Sequence, residues 1–104
     1  MKPIRDPADC HDMNQVRAGV DDVDRQLVAL ITRRFGYMDA AARIKTSREA
    51  VRDEGRKAEV KARVDAEAQR TGLDRELIAQ IYEQLIEGSI AHELARWDAI
   101  KAAG

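Results

Sequence analysis

From position 16 to position 44, apolar side chains recur at steps of three and four with no proline among them. Val16, Val20, Val23, Leu27, Leu30, Tyr37, Ala41 and Ile44 form the line, and Arg34 falls on it too. That spacing is one face of an α-helix, and at 1.5 Å per residue it extends for roughly 45 Å. A protomer of 104 residues has a small core of its own, so half of such a stripe would face water unless another long helix covered it. A second copy of the chain is the expected partner. Asp12 stands where an N-cap would, with Gln15 three residues on, an aspartate version of the capping box. Gly19 and Gly36 each cost about 1 kcal/mol relative to alanine inside a helix, and close packing against a partner would account for them.

The stripe weakens over residues 46–53, which read as a connection. Asp53 is placed to cap a second helix from Glu54 to about Arg70, with modest apolar positions at Ala58, Val60, Val64 and Ala68. Gly72 stands just past its end, where a left-handed residue closes a helix. Asp74 then caps a third helix carrying Leu77, Ile78, Ile81, Leu85, Ile86, Ile90, Leu94, Trp97 and Ile100. The expected fold is all-α, a long-short-long three-helix protomer intertwined into a helical-bundle homodimer. Aromatic residues are 4% of the chain, so the core must come from Leu, Ile, Val and Ala. Charged residues reach 36% and are spread along it, as long solvated helix faces require.

A formal charge of −1 without a basic run argues against nucleic acid, whose binding rests on neutralising phosphates. Residues 1–12 contain no apolar stretch, so neither a signal peptide nor a membrane anchor is expected. A cytoplasmic location is the simplest expectation. Cys10 is the single cysteine, which leaves no intrachain disulfide. Cys10 and His11 have no further ligand at metal-binding spacing, and His92 reads as a surface residue. No metal and no cofactor are expected.

The informative residues are polar ones set where the pattern calls for Leu. Lys45 follows Arg34 by eleven residues, and eleven steps of about 100° return to within about 20° of the same face. Their Cα atoms would lie about 16 Å apart, so two inward side chains could bracket a small anion; snorkelling into water is the plainer alternative. Arg17 lies on another face, about 25 Å from Arg34. An antiparallel partner could bring the two together, and otherwise Arg17 is a solvated cation. On the third helix Ser89 and Glu93 are four apart and share a face. They form either a boundary pair with Glu93 reaching solvent, or a polar cluster opposite Arg34 and Lys45. In the cluster, Glu93 would pair with a cation or be held protonated by burial.

These residues resemble the all-helical chorismate mutase family, including the related isochorismate-pyruvate lyases. The matching pieces are VRAGVDDVDRQLVALITRR at 16–34, AAARIK at 40–45, VRD at 51–53 and IEGSIAHE at 86–93, and the leading DPADC resembles the lyase-containing branch. The resemblance spans most of the chain and implies one domain of this type over residues 1–104. It implies an intertwined dimer in which Arg17 reaches into the partner's site and binds one substrate carboxylate while Arg34 binds the other. Lys45 would hydrogen-bond the ether oxygen, and position 93 would supply a second donor. Ser89 would line the carboxylate end, with Asp53 and Arg56 helping to close the site. Two positions depart from the family pattern. Glu93 stands where Gln is usual, and a carboxylate must be protonated to donate a hydrogen bond. Burial would raise its pKa, while Arg34 and Lys45 nearby would lower it. Lys57 stands where mutases carry a Glu that contacts the ring hydroxyl.

The implied reaction is the [3,3] rearrangement of chorismate to prephenate in aromatic amino-acid biosynthesis. It needs no nucleophile, only a clamp on both carboxylates and stabilisation of charge on the ether oxygen. A lyase giving salicylate and pyruvate from isochorismate would use the same clamp. A non-catalytic helical dimerisation module is the alternative of another class.

Overall fold

The computed structural model describes residues 4–104 and falls into two compact units, residues 4–34 and Phe35–Gly104. The first three residues of the 1–12 segment lie outside the described residues. The described chain is helical: α1 spans Met13–Ile44, α2 Glu54–Thr71 and α3 Arg75–Ala103. Single turns of 3-10 helix occur at Pro7–Asp9 and Arg48–Ala50. The three-helix order expected from the sequence is present, and no strand occurs among the described residues. Among the described residues no helix is long and apolar enough to cross a membrane.

Local chemistry explains each boundary. Asp12 Oδ1 accepts from the Gln15 N–H at 2.8 Å, and Gln15 Oε1 accepts from the His11 N–H at 2.7 Å. The returning bond of the capping box therefore falls one residue earlier than the standard pattern. Asp53 accepts from the Arg56 N–H at 3.0 Å, and Asp74 from the N–H groups of Glu76 and Leu77. Each carboxylate satisfies helix N–H groups that have no intrahelical acceptor. Gly72 takes φ 78°, and the Leu73 N–H reaches back to the Ala68 carbonyl at 2.9 Å. That is the Schellman closure, which a glycine adopts without steric cost.

In the first unit the apolar stripe of α1 is open. Val20, Val23, Leu27 and Leu30 are all exposed. In the second unit a different line on α1 packs inward. Ala42 is buried, Phe35 meets the His92 ring at 4.9 Å, and Asp39 Oδ1 lies 2.7 Å from His92 Nε2. His92 is thus half-buried and partnered, where the sequence suggested a surface histidine. Tyr37 and Ile44, on the sequence stripe, stay exposed, Ile44 at 76%. The position that a Cβ would take on Gly36 has no neighbour within 4 Å. Val51, Ala68 and Ile86 complete the buried apolar set.

Candidate active site

The Phe35–Gly104 unit buries two polar side chains one helical turn apart on α3. Ser89 and Glu93 are each 3% exposed, while every residue between them is exposed or half-buried. The Ser89 hydroxyl donates to the Leu85 carbonyl at 2.7 Å, a local bond that satisfies its proton within the helix. Glu93 does not reach solvent. Lys45, just past the end of α1, places Nζ 2.8 Å from Glu93 Oε2. The alignment is that of a charge contact rather than a hydrogen bond, which leaves Oε2 a buried acceptor with no donor aimed at it. Lys45 Nζ also donates to the Val51 carbonyl at 3.4 Å. Glu93 is therefore buried beside Lys45, not a boundary residue reaching water.

The remaining candidate residues are distributed as follows. Arg17 is exposed and makes no ion pair with any described residue. Arg34 is half-buried. Both belong to the first unit, whereas Lys45, Asp53, Arg56, Lys57, Ser89 and Glu93 belong to the second. Asp53 is committed to capping α2, and Arg56 pairs on the surface with Glu59 at 3.3 Å. Lys57 Nζ lies 2.8 Å from both Glu83 and Glu87. Those two carboxylates raise the Lys57 pKa above its usual value, Glu83 contributing most.

This hub includes residues that the sequence did not single out. Arg52 forks onto Glu87 at 2.7 and 3.1 Å, and Lys61 meets Glu83 at 2.9 Å. Hydrogen bonds from Arg52 and then Lys57 hold the Glu87 carboxyl down at about 2. Lys57 and Lys61 on α2 are four apart, as are Glu83 and Glu87 on α3. Matched i, i+4 charges on successive helices were the available signal. Arg48 pairs with Asp98 at 2.9 Å, and the Trp97 indole N–H donates to the Lys45 carbonyl at 3.2 Å. Among the described residues no group of three His, Cys, Asp or Glu side chains could hold a metal ion.

Fold and site define an all-helical protein that keeps a lysine–carboxylate pair beneath the connection between its first two helices. The chain belongs to the chorismate mutase type II family, whose pattern matches residues 16–94. It is also similar to the isochorismate pyruvate lyase of Pseudomonas aeruginosa, at 28% identity over 100 residues that cover 96% of this chain and 99% of that protein.

Proposed function

We propose that the chain is an isochorismate pyruvate lyase, acting as a homodimer on a doubly negative enolpyruvyl ether. The observation that carries this reading is the similarity to the Pseudomonas aeruginosa lyase along almost the whole of both chains. The environment of Lys57 favours the same choice. Its ammonium is engaged by Glu83 and Glu87, so position 57 offers no carboxylate to a ring hydroxyl as a mutase would.

In this reading, Arg34 and the partner's Arg17 each bind one substrate carboxylate, and their planar forks fix the reactive conformer. Lys45 has donors to spare beyond Val51 and supplies one to the ether oxygen as its bond to the ring breaks. A ring hydrogen moves to the enolpyruvyl methylene carbon, pyruvate leaves and salicylate remains. Glu93 holds Lys45 in place, and in protonated form it is a second donor to the ether oxygen. Ser89, Asp53 and Arg56 line and close the site. The open stripe of Val20, Val23, Leu27 and Leu30 is the surface that a second copy would cover, since a contiguous apolar face of this length is costly in water.

The mutase reaction, chorismate to prephenate, is a second reading, favoured by the family's own description and by the buried Ser89 and Glu93. Purified protein given isochorismate should release salicylate, seen by its fluorescence, and pyruvate, in equal amounts. Prephenate from chorismate without salicylate from isochorismate would replace the lyase with the mutase. Turnover of neither would end the enzyme reading.

A further inference from the structure

The connection at 46–53 is tied to α3 at both of its ends. At the start, Trp97 Nε1–H donates to the Lys45 carbonyl at 3.2 Å, and the next residue on α3, Asp98, takes Arg48 at 2.9 and 3.3 Å. At the far end, Arg52 forks onto Glu87, which Lys57 also meets. Between these anchors Val51 is buried, 4% exposed, and its carbonyl accepts from Lys45 Nζ. Trp97 and Glu87 are ten residues apart on α3, about 15 Å along its axis, and Ser89 and Glu93 fall between them. The connection is therefore a strap attached on either side of the buried pair.

Lys45 depends on that strap. Its side chain has four rotatable bonds, and among the described residues its ammonium meets only the Val51 carbonyl and Glu93 Oε2. The first contact is long at 3.4 Å and the second is not aligned as a hydrogen bond. Glu93 draws the ammonium in by charge without directing it, so its alignment is set by where its own backbone and the Val51 carbonyl are held. An exposed ion pair such as Arg52–Glu87 adds only modestly to stability, and its bidentate fork fixes the geometry as well.

We propose that Arg52 and Trp97 are positioning residues that fix the two ends of the strap to α3 and thereby hold the Lys45 ammonium over Glu93. The consequence for turnover rests on the proposed role of Lys45 at the ether oxygen; the positioning itself does not. Arg52→Gln and Trp97→Phe in the full chain test both parts. The first readout needs no substrate: competitive acetylation with acetic anhydride, followed by peptide mass spectrometry. Relative to Lys101 for the Arg52 variant and Lys61 for the Trp97 variant, Lys45 should label severalfold faster than in the wild type. Unchanged labelling of Lys45 in both variants overturns the proposal. The second readout is kinetic. Small displacements of a reacting group cost up to about a hundredfold, so kcat should fall about tenfold with KM nearly unchanged. Arg52→Lys should recover part of the loss. In a Lys45→Met background neither substitution should lower kcat further, and a full additional loss there overturns the proposal as well. A wild-type chain that converts neither isochorismate nor chorismate would sink the assigned reaction, while the labelling still decides the positioning.

Discussion

Removing the two partners of the Lys45–Glu93 pair one at a time should have unequal effects. The Glu93 side chain is 4% exposed, whereas that of Lys45 is 29% exposed. Lys45→Met keeps the bulk of the stem and leaves a carboxylate in the core with no cation facing it. Losing one partner of a buried pair costs about 3–5 kcal/mol, and the partial access of water to Lys45 sets the expectation at the lower end, about 3 kcal/mol. For a domain of this size each kcal/mol moves Tm by about 4–8 °C, so a fall of about 12–24 °C is expected. Glu93→Gln instead leaves an ammonium that water can reach and an amide oxygen that can still face it, at about 1 kcal/mol or less. The double variant should be more stable than Lys45→Met alone, because the stranded charge is gone. Urea denaturation followed by circular dichroism, at one fixed protein concentration because association shifts apparent stability, measures all four proteins. Equal losses for the two single variants, or a double variant as unstable as the sum of both, would refute the claim that burial of Glu93 governs the pair.

If sites are shared across a dimer, Arg17→Ala and Arg34→Ala protomers should each be nearly inactive alone. Mixed in equal amounts and allowed to exchange, they should regain about a quarter of wild-type activity, since half the dimers would be mixed and each would hold one intact site of two. No recovery, with exchange verified by mass spectrometry, would refute sharing. The hub at Glu87 should make stability depend on acid. Its pKa falls from 4.5 to about 2 on folding, so its contribution is fully present above 4.5 and is lost as pH falls through about 2. The Tm of Glu87→Gln should therefore approach that of the wild type across that window, and a gap that stays constant down to pH 2 would show that Arg52 and Lys57 do not hold the carboxylate.

Residue order alone sets the helices and those of their ends that carry a cap. Asp12, Asp53, Asp74 and Gly72 act on backbone groups within five residues of themselves, and such local bonds are legible in the order of residues. The apolar stripe of α1 was legible for the same reason, as a period of 3.6 residues. Which line of α1 packs within the Phe35–Gly104 unit was decided only by tertiary structure. Phe35, Asp39 and Ala42 turn inward there, while Tyr37 and Ile44, equally periodic, do not. The same holds for the surroundings of the site. Glu93 could have reached solvent on sequence pattern alone, and the 46–53 stretch read as a plain connection. Their partners lie far off in the chain, 48 residues between Lys45 and Glu93, 52 between Lys45 and Trp97 and 35 between Arg52 and Glu87. No local periodicity encodes such pairs. The fold brings them together, because α3 returns alongside the end of α1 and the connection between the first two helices must cross it.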